Sequence, residues 1–136
     1  MQIPEVSFRR IPDPSGDSCT FLSWFLPTKE ITQAFVQEMK SQNNMAGNFY
    51  WFDNNWHYIR KWDHLKNSVM LNGLHPELKS AVIAQATKDF SASDAVMSRC
   101  ISTLISLLWT EEQIAEKGAL LVKAAKKVLS EHTVTT

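Results

Sequence analysis

The residues of this sequence that could carry chemistry are concentrated in one segment, residues 49–65. Seven aromatic side chains stand there among two Asn, two His, two Asp, one Arg and one Lys. Amides and imidazoles can both donate and accept hydrogen bonds, which suits hydroxyl-rich ligands, and an arginine can hold a carboxylate in a bidentate fork. The segment therefore favours a binding surface for a polar, hydroxylated ligand, with Asn54, Asn55, His57 and Arg60 as its candidate contacts.

The same segment fits a second interpretation, a corner between a strand and a helix. The rings of Phe49, Trp51 and Tyr58 would then fill the core, and the asparagines would form the turn. Both interpretations remain open from the residues alone.

Other kinds of site receive little support from the sequence. His57 and His64 are seven residues apart, and Asp63 stands beside His64. A catalytic zinc site needs three protein ligands, and this spacing comes with no further motif that is typical of such a site. Cys19 and Cys100 form no disulfide framework or metal-ligand spacing, so we expect small buried thiols. No nucleophile motif, carboxylate pair or Gly-rich phosphate loop is recognisable, and we assign no catalytic, metal-binding or cofactor-binding residue. We expect Gly118 to serve close packing between the last helix and the sheet.

Composition narrows the class of protein. The chain has 136 residues, a formal net charge of zero and a sequence pI near 6.9. A nucleic-acid binder would need a basic surface that displaces phosphate counterions, so we expect no nucleic-acid partner. No apolar run approaches the roughly 20 residues of a transmembrane helix, and the N-terminus lacks the features of a signal peptide. We therefore expect a cytoplasmic protein without a membrane partner.

Hydrophobic periodicity and capping signals predict the elements that position the segment. In the first half of the chain, an irregular lead-in is predicted over residues 1–18, followed by a strand over 19–26 and a helix from Thr28 to about residue 42. The strand is apolar on both sides, so we expect both of its faces to be covered. A short strand over 49–52, a turn over 53–55 and a short helix over 56–66 are predicted to follow. In the second half, Pro76 is predicted to open a helix, and Ser91 or Ser93 is predicted to cap a short helix that ends at residue 99. A strand is predicted over 100–108. A Thr110–Gln113 capping box then opens an amphipathic helix that reaches residue 129, and a frayed tail is predicted over 131–136. This order predicts an α+β two-layer sandwich, residues 19–130, with a small, mainly antiparallel sheet packed by helices.

The order of these elements resembles the C-terminal small domain of the DegT/DnrJ/EryC1/StrS sugar aminotransferases, which are fold-type I enzymes that use pyridoxal phosphate. The elements that carry the resemblance are the 19–26 strand, the 28–42 helix, the 49–58 segment, the 101–108 strand and the 110–129 helix. The runs 53–58 and 62–65 are most similar to the branch that makes 8-amino-3,8-dideoxy-manno-octulosonate, an acidic amino sugar of lipopolysaccharide.

The resemblance implies a small domain that supplies one wall of a substrate cleft. Asn54, Asn55, Trp56 and His57 would line that wall, and Arg60 would face a substrate carboxylate. In the family, the lysine that forms the Schiff base lies in a large domain that precedes this region. None of the ten lysines here matches it, so we expect the chain alone to bind little cofactor and to be inactive. The expected partners are the missing large domain or a homologous subunit, a sugar substrate in the complete enzyme, and further copies in a homo-oligomer. The chain could be a fragment, an excised domain or one half of a split enzyme.

A different class of function also fits the composition of residues 49–62. The alternative is a non-catalytic interaction module in which the aromatic corner forms an exposed protein-binding patch.

Overall fold

A computed structural model of the chain describes residues 3–54, 58–66, 75–86 and 88–133. Its elements follow the predicted order, with one added strand near the N-terminus. They are β1 Ser7–Phe8, β2 Phe21–Phe25, α1 Lys29–Ser41, β3 Asn48–Phe49, 3-10 helices Trp51–Asp53 and Ile59–Lys61, α2 Asp63–Lys66, α3 Pro76–Ala86, α4 Ser91–Met97, β4 Cys100–Leu104 and α5 Glu111–Thr133.

The four strands form one antiparallel sheet in the order β1-β2-β4-β3. β2 and β4 pair along their whole length, from Phe21 opposite Leu104 to Phe25 opposite Cys100. β1 extends the sheet beside β2, and β3 extends it beside β4. The predicted α+β class with a small antiparallel sheet is therefore confirmed.

Helices cover the face of the sheet that carries Trp24. The Trp24 ring meets the Phe35 ring of α1 edge-on, with centroids 5.2 Å apart, and its Nε1 donates a hydrogen bond of 3.0 Å to the Thr103 hydroxyl. Ile101, opposite Trp24 on β4, is fully buried. This side of the sheet and the facing sides of α1 and α5 form the core, whose other buried residues are Leu26, Thr32, Val36, Met39, Ala124, Ala125, Val128 and Leu129.

α1 begins and ends where its capping residues require. The Thr28 hydroxyl accepts the Ile31 amide at 3.3 Å, as expected of an N-cap. At the other end Asn43 has a φ of 55°, the left-handed conformation that Asn tolerates and that ends many helices. Because both ends are specified locally, the predicted helix from Thr28 to about residue 42 is confirmed almost to the residue.

α5 also starts as predicted. Thr110 and Gln113 form a reciprocal capping box, in which the Thr110 hydroxyl accepts the Gln113 amide and the Gln113 side chain accepts the Thr110 amide. The helix continues to Thr133, so the prediction of a frayed tail from residue 131 is wrong for its first three residues. The Glu38 carboxylate of α1 pairs with the Lys127 ammonium at 2.7 Å and joins the two helices at their surface.

Several predicted strands are shorter in the structure. β4 ends at Leu104 rather than at residue 108, and β3 ends at Phe49 because the chain turns into a 3-10 helix at Trp51. Apolar runs do not distinguish a strand from the exposed loop that follows it, which is why Leu107 and Leu108 misled the prediction. The predicted irregular lead-in contains β1, whose two residues show no strand pattern.

The expectation that β2 is covered on both faces is wrong at its N-terminal end. Phe21 and Leu22 are exposed there, whereas Trp24 is buried and Phe25 is half-buried. The covered part is thus the C-terminal half of the strand, next to α1.

The chain divides into two compact units. The first, which we call the sheet unit, comprises residues 1–50 and 98–136; the second, the inserted unit, comprises residues 51–97. In the inserted unit α2 packs against α3, and α4 contacts the 3-10 helix Trp51–Asp53. Among the described residues, no helix is both long enough and apolar enough to cross a membrane.

Candidate functional site

Two of the five predicted site residues, Asn54 and Arg60, lie within the described part of the inserted unit. The other three, Asn55, Trp56 and His57, lie outside the described residues. Asn54 is half-buried, and its backbone amide donates a hydrogen bond of 3.2 Å to the Trp51 carbonyl. This contact closes the 3-10 turn, so the backbone of Asn54 takes part in the turn that the second interpretation of this segment expected.

The described aromatic side chains of this segment are buried or half-buried. Tyr58 is 6% exposed, and its ring lies 5.4 Å from the ring of Phe52. Phe49 and Trp51 are half-buried. The core-filling interpretation is therefore confirmed for Tyr58, while Phe49 and Trp51 each keep part of their surface in solvent.

Arg60 belongs to a cluster that joins the 58–61 segment to α4. Its Nε contacts one carboxylate oxygen of Asp94 at 2.7 Å, and the Tyr58 hydroxyl donates a short hydrogen bond to the other oxygen. The guanidinium carbon of Arg60 lies over the Phe90 ring, 5.4 Å from its centroid. We call these four residues, Tyr58, Arg60, Phe90 and Asp94, the arginine clamp. The Arg60 side chain remains 37% exposed, so the clamp is open to solvent on part of its surface.

The surroundings of Tyr58 change the pKa of its phenol. Burial, followed in importance by the Asp94 carboxylate, raises the pKa of Tyr58 above its usual value of 10.0. The phenol therefore stays protonated at neutral pH and remains a donor to Asp94. Asp89 stands near Arg60 as well, but its pKa is lowered mainly by the hydrogen bonds that Ser91 donates to it. The backbone amide of Ser91 donates to Asp89 at 2.8 Å, so Asp89 satisfies the amide of the first residue of α4.

Sequence reasoning missed the α4 half of the clamp. It predicted Ser91 or Ser93 as the cap of α4, whereas Ser91 is the first residue of the helix and donates from its amide and its hydroxyl to Asp89. Asp94 offered one weak signal, a lone carboxylate in a helix of small residues. Its partner Arg60 is 34 positions earlier in the sequence, and only tertiary structure brings such a pair together.

The two cysteine predictions have opposite outcomes, and of the two histidines only His64 lies among the described residues. His64 is exposed, with its ring 6.3 Å from the Trp62 ring, and the described residues contain no group of three His, Cys, Asp or Glu side chains placed to hold a metal. Cys100 is buried as predicted, and burial raises the pKa of its thiol. Cys19 is exposed, so its predicted burial is wrong: the strand begins only at Phe21, and Cys19 lies in the irregular segment before it with a φ of 52°.

A separate apolar cleft of about 500 Å³ lies in the sheet unit, between α5 and the β1–β2 side of the sheet. Phe8, Leu22 and Trp24 line one side, and Gly118 and Leu121 are among the α5 residues on the other. A Cβ added to Gly118 would meet no described atom within 4 Å. The prediction that Gly118 serves close packing against the sheet is therefore wrong.

A scan of the sequence against models of known protein families finds no match.

Proposed function

We propose that this chain is the C-terminal small domain of a pyridoxal-phosphate-dependent aminotransferase of the DegT/DnrJ/EryC1/StrS type, acting on a keto or aldehydo sugar of lipopolysaccharide biosynthesis in the cytoplasm. The observation that carries the proposal is a polar and aromatic segment that follows β3, in a chain with the element order that the resemblance implies. In this proposal Asn54, Asn55, Trp56 and His57 select the sugar, and Arg60 receives its carboxylate.

The described side chains of this chain do not fit the task of holding the cofactor. A lysine that forms a Schiff base is activated by desolvation or by a neighbouring cation, which lowers its pKa. The side chains of nine of the ten lysines are described, and all nine are exposed. The hydrogen bond with Glu38 raises the pKa of Lys127, whereas a lysine that forms a Schiff base needs a lowered pKa. The reactive lysine is thus assigned to a partner domain, and we derive no chemical step on this chain.

The apolar cleft of the sheet unit and the exposed Leu107 and Leu108 also agree with a domain that works beside a partner. Leu107 is 97% exposed and Leu108 is 91% exposed. Large exposed apolar patches on soluble proteins commonly mark interaction sites. In the proposed enzyme the partner is the large domain, or a homologous subunit of a homo-oligomer.

The direct test is complementation. The chain is mixed with a lysine-bearing large domain of this family, and both transamination and the absorbance of the bound cofactor are followed. We expect activity only in the mixture, and a change in the cofactor spectrum when the chain is added. If rate and spectrum are the same with and without the chain, the proposal is refuted.

Variants make the test specific to the proposed substrate wall. Asn54→Ala and His57→Ala should raise the KM for the sugar in the complemented enzyme while the cofactor spectrum stays unchanged. Lys79→Ala is the matched control, because Lys79 is an exposed residue of α3 in the same unit. Equal effects from all three substitutions would show that residues 54–57 do not select the substrate.

The second candidate function is a non-catalytic interaction module, and the exposure of Leu107 and Leu108 is the observation that favours it. The described rings of residues 49–62 are all buried or half-buried. In this second function the partner would therefore bind to the exposed Leu107 and Leu108 rather than to the aromatic patch that the sequence predicted. Sedimentation of the wild-type chain and of a Leu107→Ser, Leu108→Ser double variant would test this function. A wild-type chain that stays monomeric at high concentration, in the presence or absence of candidate partners, would count against it.

A further inference from the structure

We propose that a second copy of this chain packs at the open side of the apolar cleft, with its α5 helix antiparallel to the first and the two helices crossing at Gly118. The inference concerns the sheet unit alone, because every residue that lines the cleft belongs to that unit. It does not rest on the proposed aminotransferase function. It assigns to the cleft one occupant and one register, and both follow from residues of α5.

Part of the helix-covered face of the sheet lacks a covering element. Phe8 pairs with Trp24 across β1 and β2, and Leu22 is two residues before Trp24, so all three side chains lie on the same face. Trp24 is 4% exposed, whereas Leu22 is 40% exposed and Phe8 is 61% exposed. The layer of helices therefore ends before it reaches the β1 side of the sheet, and apolar side chains remain in solvent there.

The N-terminal half of α5 is also uncovered. Ala125 and Val128 in the C-terminal half are buried, whereas every residue from 111 to 119 is exposed, including Ile114 at 54%. The cleft of about 500 Å³ lies between α5 and the β1–β2 side of the sheet. Gly118 lines it, and a Cβ added there meets no described atom within 4 Å. Another helix can therefore approach α5 closely at this residue, since the distance between packed helices depends on the side chains at the contact.

The apolar stripe of α5 is complementary to itself when two copies run antiparallel. Ile114 and Val122 each lie four residues from Gly118, which is about 6 Å along the helix axis in either direction. Residues four apart share one face of a helix, so Ile114, Gly118 and Val122 form a single row. A two-fold axis at Gly118 places the same surface of both copies in contact, and Ile114 of each copy then faces Val122 of the other. The same chain thus supplies both halves of the apolar contact.

The charges of α5 favour this antiparallel arrangement over a parallel one. Glu112 lies six residues before Gly118 and Lys123 lies five residues after it, and both are exposed. Glu112 and Lys123 are eleven residues apart, close to three helical turns, so they lie on the same side of α5. An antiparallel pair that crosses at Gly118 therefore brings Glu112 of each copy beside Lys123 of the other, whereas a parallel pair brings like charges together. Antiparallel helix dipoles add to this attraction.

The overall charge of the chain does not oppose a contact between two copies. The formal net charge is zero, so general repulsion between copies is small. The dipole of α5 accounts for an acidic first turn in a single chain, but it does not require a lysine at the mirrored position about Gly118. The matched charges are thus the observation that identifies a second copy, rather than an unrelated partner, as the occupant.

Sedimentation equilibrium of the full chain at low ionic strength measures the association. The wild type is loaded up to about 1 mM, where even a weak complex is populated, and we expect a reversible equilibrium between monomer and dimer. Glu112→Lys and Lys123→Glu should each weaken the dimer by about tenfold or more, because the two-fold axis turns two attractive pairs into repulsive ones. Glu131→Lys is the matched control, since it makes the same change of net charge at the other end of α5. We expect it to leave the dissociation constant within about twofold of the wild type.

The double variant E112K/K123E tests the register. It keeps the net charge of the wild type and restores opposite charges at both contacts of an antiparallel pair, so we expect it to associate within about threefold of the wild type. A contact that responds only to net charge would weaken Glu131→Lys as much as Glu112→Lys. Because Glu112 also interacts with Thr110 in its own chain, circular dichroism checks that each variant keeps α5.

Two further variants locate the apolar part of the contact. Ile114→Ser should weaken the dimer by about tenfold, because an apolar side chain is then missing from both copies. Ile114 is half exposed in the single chain, so this variant should still fold, and it decides the question if the charge variants lose α5. Leu107→Ser with Leu108→Ser should leave the dimer in place, because these residues precede the paired helices.

Three outcomes would overturn the inference: a wild-type chain that is monomeric at the highest concentration, a folded double charge variant that associates no better than the single variants, or an association that is lost in the leucine variant and kept in Ile114→Ser. The complementation test of the proposed function is separate from these measurements. A monomeric chain that complements a large domain would keep the function and lose this interface. A dimer that fails to complement would keep the interface and lose the function.

Discussion

Replacing Gly118 by alanine should stabilise this protein, and the sign of the effect follows from the structure. Gly118 lies in the interior of α5, a helix of 23 residues. Glycine in a helix interior is less favourable than alanine by about 0.8–1.0 kcal/mol, because it loses more backbone freedom on folding. A Cβ added at this position meets no described atom within 4 Å, so no steric cost opposes the gain. We therefore expect Gly118→Ala to raise the free energy of unfolding by about 1 kcal/mol.

Urea denaturation of the full chain, followed by tryptophan fluorescence and by circular dichroism, measures this change. A gain of about 1 kcal/mol corresponds to a rise of roughly 3–5 °C in Tm for a domain of this size. The measurement should be repeated at several protein concentrations, because a contact between chains through the cleft would make the result concentration-dependent.

Gly47→Ala is the matched control for this prediction. Gly47 has a φ of +78°, and the Cβ that alanine would add lies 3.9 Å from the Leu104 Cβ, an ordinary contact distance. The backbone conformation alone should therefore destabilise this variant by about 1–2 kcal/mol. The same chemical change is thus expected to have opposite signs at the two glycines. A destabilised Gly118→Ala variant would refute the reasoning and show that α5 packs closely at this position.

Three further predictions follow from local contacts. Thr110→Ala should lower the free energy of unfolding by about 1 kcal/mol, because it removes the hydroxyl of the α5 capping box, and denaturant titration measures the loss. The Lys127 ammonium lowers the pKa of Glu38 below its usual 4.5, so the stability that this carboxylate contributes is present above pH 4.5 and is lost as the pH falls through its lowered value. Glu38→Gln should therefore make stability depend less on pH in that acidic range. A thiol reagent such as Ellman's reagent should modify Cys19 in the folded protein and Cys100 only after unfolding, since Cys100 is buried and burial raises the pKa of its thiol.

Each of these predictions has its own control. Thr110→Ser keeps a hydroxyl acceptor and should retain most of the stability lost in the alanine variant. Added salt should reduce the difference between wild type and Glu38→Gln, because the pair with Lys127 is at the surface. Rapid reaction of both thiols in the folded protein would contradict the burial of Cys100.

The elements that the sequence predicted correctly are those specified by neighbouring residues. Thr28 caps α1, Pro76 opens α3, and Thr110 with Gln113 opens α5, each as expected. Capping contacts span only three or four positions, so their partners are visible in the sequence itself. The antiparallel sheet packed by helices was also predictable, since two apolar strands and two amphipathic helices leave few other ways to bury their faces.

The errors arise where solvent exposure decides the outcome. The 100–108 run and the 19–26 run are both apolar, yet Leu107, Leu108 and Cys19 are exposed. Composition cannot tell whether another element covers a residue. For the same reason Gly118 was expected to pack closely, whereas the structure places it beside an open cleft.

In the candidate site, too, the sequence predicted what depends on local composition, and the tertiary structure decided which distant residues come together. The sequence by itself marked residues 49–65 as the polar, aromatic segment, because the unusual mixture of rings and amides is a property of composition. Only the tertiary structure brought Asp94 and Phe90 from α4 to Arg60 and buried Tyr58 beside them. The physical reason is that a charge pair between residues 34 positions apart depends on how the intervening chain folds, which no local propensity encodes.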